Sequence, residues 1–208
     1  MSGETFDKLG EVSGYALELG DSVKSIQLTL SNEPAYGFQI ERNRSLVYVY
    51  GVRGERTFTV EYQFRISNQL PVTEDEMRRY ADDSTAVDLE QEQLENTIKK
   101  QKLKKIEEEA VEDAVESALS ETAQTKTAAE PLYFNNGSDL LDGFIMKSRL
   151  YPFSSNFGIK DYNNTIRQII SDGVTAAREV YNSLDELGED QAPELNETEQ
   201  RRPDRTYQ

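Results

Sequence analysis

From Ala86 to Ala123 the chain runs without a glycine or a proline, and most of its residues there favour helix. At about 1.5 Å per residue, such a segment would reach roughly 55 Å. The charged stretch around it, Thr73 to Ala123, carries its own start signal. In Pro71-Val72-Thr73-Glu74-Asp75-Glu76-Met77, Thr73 can cap the first turn and Glu76 can bond back to it. Val72 and Met77 occupy the positions of a hydrophobic staple, and Glu74 and Asp75 suit the positive end of the helix dipole. A second start lies at Asp83-Ser84-Thr85. The expectation is a short helix, a break near Asp82-Asp83, and a long charged helix over about 86–121.

The apolar positions of that helix are sparse: Leu89, Leu94, Ile98, Leu103, Ile106, Val111, Val115 and Leu119. They form a narrow, drifting stripe rather than a strict heptad, so they must lie against a sheet or a second chain. Charge divides the helix in two. Lys99, Lys100, Lys102, Lys104 and Lys105 make a basic block, and Glu107, Glu108, Glu109, Glu112, Asp113 and Glu116 an acidic block directly after it. Antiparallel pairing of two copies would set one block on the other, which motivates a homodimer. The plainer alternative is a solvated helix laid across a sheet and stabilised by pairs such as Glu95–Lys99. Acidic flanks argue against reading the lysines as a nucleic-acid patch.

Ahead of the helix the pattern changes to period two. Ile26, Leu28 and Leu30 alternate with Ser25, Gln27 and Thr29; Tyr36, Phe38 and Ile40 follow, then Leu46 to Val52. The clearest run is Phe58, Val60, Tyr62, Phe64 and Ile66 against Thr57, Thr59, Glu61, Gln63 and Arg65. Short turns join these runs, which predicts an antiparallel four-stranded meander over 23–66 with one wet face. On this pattern Tyr48 and Tyr50, sharing a face with Leu46, belong to the core. Glu4 to Leu19 fits a helix ended by Gly20, although Gly-Tyr-Ala-Leu-Glu-Leu also fits a strand.

After the long helix, Thr125 to Pro131 reads as a break, Leu132-Tyr133-Phe134 as a short strand, and Phe144 to Leu150 as a strand joining the sheet edge. Tyr162, Ile166, Ile169, Ile170, Ala177, Val180, Tyr181, Leu184 and Leu187 hold helical spacing, with Asp161 as the expected cap and Gly173 implying a close neighbour. The fold class expected is α+β: a four- to five-stranded antiparallel sheet covered by N- and C-terminal helices. Residues 1–187 are expected to form one domain with a helical extension at 74–123, and 188–208 a disordered acidic and polar tail.

Composition narrows the chemistry. Cysteine, histidine and tryptophan are all absent, which removes thiolate nucleophiles, imidazole bases, disulfides and ordinary zinc sites. No cofactor is expected. The Asn135–Asp142 loop holds oxygen ligands but lacks the spacing and terminal Glu of a calcium loop. The net charge of −16 with few lysines points to a salt-adapted, halophilic surface, the alternative being an acidic mesophilic protein. The first residues lack a secretory pattern and no apolar run is long enough to span a bilayer, so a cytoplasmic chain with no membrane partner is expected.

The order helix, meander, helix, strand, helix over roughly 5–187 is similar to type III secretion chaperone-like proteins. That resemblance implies peptide or protein binding by a small dimer. The functional expectation is a non-enzymatic interaction, scaffold or chaperone-like protein that associates through the long charged helix with an unknown protein partner. The alternative is an accessory nucleic-acid-associated protein using Arg42, Arg44, Arg53 and Arg56 at the sheet turns.

Overall fold

A computed structural model describes residues 2–30, 33–83, 91–106, 108–122, 127–134 and 138–185. Helix α1 (Ser2–Glu18) opens the chain, so helix prevails where strand was also open. It ends at Gly20, with φ of +82°. The Asp21 N–H donates to the Ala16 carbonyl and the Gly20 N–H to that of Leu17, both at 3.0 Å, the paired closure of a glycine-terminated helix.

Strands β1 (Ser22–Leu30), β2 (Glu33–Arg42), β3 (Ser45–Val52) and β4 (Phe58–Arg65) form the expected meander. Two later strands, β5 (Ala128–Tyr133) and β6 (Leu141–Leu150), complete an antiparallel six-stranded sheet in the order β1-β2-β3-β4-β6-β5. The extra strand is β5, which starts within the segment expected to break structure and runs into the short strand expected at Leu132-Tyr133-Phe134. Pro131 misleads there: on an edge strand a proline need not remove a ladder hydrogen bond.

Register assigns the faces. Val47 stands opposite Tyr62 and Val49 opposite Val60, while Phe58 and Phe64 face Leu150 and Phe144. This face, continued by Phe38 and Ile40 on β2, is buried under helices. Leu46, Tyr48 and Tyr50 therefore point to the other face, where Tyr50 is buried as expected, Tyr48 is half-buried and Leu46 is exposed. Both alternating sets of β3 are apolar, so periodicity alone could not choose; pairing with β2 and β4 does.

A 3-10 turn at Ile66–Gln69 leads to α2 (Glu74–Asp83). The capping box forms as expected: the Thr73 N–H donates to Glu76 Oε2 at 2.9 Å, and the Glu76 N–H to Thr73 Oγ1 at 3.2 Å. The long rod does not. It is two helices, α3 (Gln91–Leu103) and α4 (Glu108–Thr122), separated by a tight turn at Lys104–Ile106. In a straight helix Ile98 and Val111 would point about 140° apart. Both are buried, as are Leu103 before the turn and Ile106 within it. The turn lets Leu103, Ile106 and Val111 of the drifting stripe join one apolar cluster. Residues 84–90, where the second start was expected, lie outside the described residues.

The last helix, α5 (Ile159–Asp185), lies across β3, β4 and β6 and packs on α4. Asp161 sits inside its first turn and accepts from the Gly158 N–H at 3.0 Å instead of capping from outside. A methyl group at Gly173 would meet the Tyr62 ring at 2.4 Å, the close neighbour the sequence implied. Side chains of α1, α4, α5 and the sheet join in one apolar cluster. The expected tail at 188–208 falls outside the described residues.

Candidate interaction surfaces

The bend redistributes the basic block. Lys99 pairs with Glu95 one turn earlier at 2.7 Å, as expected for i,i+4 neighbours. The Lys100 ammonium lies 6.0 Å from the centroid of the Phe134 ring. Lys102 bridges to Glu76 of α2 at 2.8 Å and donates to the Pro71 carbonyl. That ammonium, with the Thr73 N–H, holds the Glu76 carboxyl below its ordinary value. Lys104 and Lys105 stay exposed in the turn. Three of the five expected basic residues are thus spent inside the chain, Lys102 joining α3 to α2 and Lys100 joining it to the strand-end Phe134.

The acidic block has no such internal use. Glu108, Glu109, Glu112, Asp113 and Glu116 are exposed along α4, and none has an ion-pair partner among the described residues. Glu107 lies outside the described residues. Glu108 and Glu112, and Glu112 and Glu116, are i,i+4 neighbours of like charge, each pair destabilising by a few tenths of a kcal/mol. Val111, Ala114, Val115 and Ala118 hold the opposite side of α4 in the core, which fixes the acids outward.

The turn arginines divide similarly. Arg42 is a clasp: Nε and Nη2 donate to the two carboxylate oxygens of Asp21, each at 2.6 Å, and Nη1 to Asn163 Oδ1 at 2.8 Å. Those bonds join the end of α1, the end of β2 and the start of α5. Arg56 stands 5.6 Å from the Phe153 ring centroid. Arg44, in the left-handed region at φ +65° beside Asn43 at +52°, forms the tight turn between β2 and β3, and Arg53 is exposed. Only Arg44 and Arg53 of this set are uncommitted among the described residues.

The sheet face opposite the helices carries a polar network that sequence reasoning missed. Tyr50 donates to Glu61 Oε2 at 2.8 Å and Gln63 Nε2 to Glu61 Oε1 at 2.6 Å. Tyr50 is only 6 % exposed, and burial beside the Glu61 carboxylate pushes its hydroxyl pKa upward. Lys147, opposite Glu61 in register, bonds to Glu130. The signal in the sequence was the lone Glu within the β4 alternation, which could not be paired with Tyr50 before the register was known. At the start of β6, Asp142 accepts from the Ser67 N–H and hydroxyl, both at 2.8 Å, and from Arg65 at 3.1 Å. The carboxylate weighed as a calcium ligand is therefore a buried structural staple, and its pKa is raised, chiefly by burial.

A shallow depression of about 230 Å3 beside the start of α5 is lined by Arg149, Tyr151, Ser154, Asn156 and Phe157, among others. Among the described residues no helix is long and apolar enough to cross a membrane. Comparison of the chain with protein-family models, with curated proteins and with solved structures returns no match. The likeness to type III secretion chaperones rests on element order alone.

Proposed function

We propose that the protein is a non-enzymatic interaction or scaffold protein whose acidic α4 receives a basic segment of another protein. One observation carries this reading: a solvent-facing row from Glu108 to Glu116 without counter-charges among the described residues, on a helix whose other side is fixed in the core. Three of the five lysines that a two-copy pairing would use, Lys99, Lys102 and Lys100, are occupied by Glu95, Glu76 and Phe134, while Lys104 and Lys105 are exposed in the turn. That use inside the chain shifts the reading from mutual pairing of the two blocks to capture of an outside cation. The nucleic-acid alternative keeps only Arg44 and Arg53, against a net charge of −16 that repels phosphate.

The test is fluorescence anisotropy of a labelled lysine- and arginine-rich peptide. Glu108→Gln, Glu112→Gln and Glu116→Gln together should weaken binding about tenfold or more, as loss of a localised charge row demands. Neutralising Glu74, Asp75 and Glu92, equal in charge but on other helices, should leave it nearly unchanged. Equal losses from both sets would mean diffuse attraction to an acidic protein, and the reading would be lost.

A further inference from the structure

The two borders of the sheet are built differently. At the β5 border the strand is six residues long, carries Glu130 and Pro131, and its pairing slips between Leu132 and Tyr133. Short length, charge, proline and a bulge are the usual means of blunting an edge against another strand. At the other border β1 pairs with β2 through all nine residues with no slip. It has no proline and one charged residue, Lys24, and nothing among the described residues pairs with its outer side. Half-buried Ile26 and Leu28 sit on one face of it, exposed Ser25 and Gln27 on the other.

Helix α1 lies over the same part of the sheet, touching β1, β2 and β3. Its Tyr15 turns toward Phe157 and Tyr162 at the start of α5. Helical periodicity therefore turns Phe6, Gly10, Ser13 and Leu17 away from α5, toward β1. That side is uncharged, and Phe6 and Leu17 are 51 % and 62 % exposed.

We infer that β1 pairs antiparallel with β1 of a second copy, extending the sheet across a two-fold axis at Ile26. In this register Ile26 faces its counterpart, Lys24 faces Leu28, Ser25 faces Gln27, and no charge meets a like charge. Phe6 rests on Tyr36, at a centroid distance of 4.7 Å, and Tyr36 pairs with Gln27 next to the axis. With strands about 4.8 Å apart, the two Tyr36 residues then stand three spacings, about 14 Å, from each other, and the uncharged sides of the two α1 helices face one another across the axis. The blunted β5 border stops the sheet from growing further, so association closes at two. At about 35 Å2 per contributing residue the pair buries roughly 900 Å2, the size of a weak, reversible dimer. This surface is separate from the acidic row of α4, and either can fail alone.

Sedimentation velocity of the full chain at low and at molar salt decides the matter. A reversible dimer is expected, tighter in molar salt because each copy carries −16. Ser25→Lys with Gln27→Lys sets lysine against lysine across the axis and should weaken it about tenfold. Gly10→Gln, where an added Cβ meets open space within the copy, should weaken it with the fold intact by circular dichroism. Ala128→Lys on the other border should not change it. A strict monomer at both salts, an assembly larger than two, or a dimer indifferent to the lysine pair overturns the inference.

Discussion

Two glycines in helices show how one residue type takes opposite roles. Gly173 lies against the Tyr62 ring, where a Cβ would come to 2.4 Å, while a Cβ at Gly10 meets nothing within 4 Å. Gly173→Ala should therefore destabilise by about 1–3 kcal/mol through overpacking, less whatever helix propensity returns. Gly10→Ala should stabilise by about 0.5–1 kcal/mol. Urea unfolding measures both, and equal signs would show the α5–sheet contact to be looser than described. Gly173 was legible in the sequence because a glycine within a strong helical pattern needs a reason. Tyr50 was not: its partner Glu61 lies on the neighbouring strand, and only the register between β3 and β4 brings the hydroxyl within 2.8 Å. Phe6 fell between the two, in helical phase with Leu9 and Val12 yet half exposed, because α1 lies toward the β1 end of the sheet and not over its middle.

At the scale of elements, the link between α2 and α3 is a titratable one. Lys102 and the Thr73 N–H hold the Glu76 carboxyl below its ordinary value of 4.5. The folded state thus favours the ionised form, so this contribution is complete above the ordinary value and is lost as pH falls through the lowered one. Lys102→Met should flatten the acid side of the stability–pH curve and, for a partly exposed pair, cost no more than about 1 kcal/mol at neutral pH. Urea midpoints taken from neutral to acid pH would expose an error if the two curves ran parallel. The capping box at Thr73 and Glu76 was readable from local chemistry, as were the four strands of the meander. The bend at Lys104–Ile106 was not, since no glycine or proline marks it. It comes from the demand that Leu103, Ile106 and Val111 all reach the same interior, which only tertiary packing states.

For the whole molecule, excess negative charge is the dominant long-range force. With 39 acids against 23 bases, and an α4 surface whose acids lack described counter-ions, compaction brings like charges together. Salt shortens the Debye length from about 10 Å at 0.1 M to about 3 Å at 1 M. The urea midpoint should accordingly rise between these concentrations of potassium chloride, and a flat response would remove the case for a salt-adapted surface. The sheet has another consequence, for synthesis. Strand β4 finds its second neighbour only in β6, and Phe58, Val60, Tyr62 and Phe64 are roofed by α5, the last described helix. A ribosome adding about 5–20 residues each second needs on the order of ten seconds to travel from Arg65 to Asp185. Throughout that interval the β4 end of the nascent meander, beyond the reach of α1, has a bare greasy side, and whatever shelters it in the cell must do so before the protein can shelter itself.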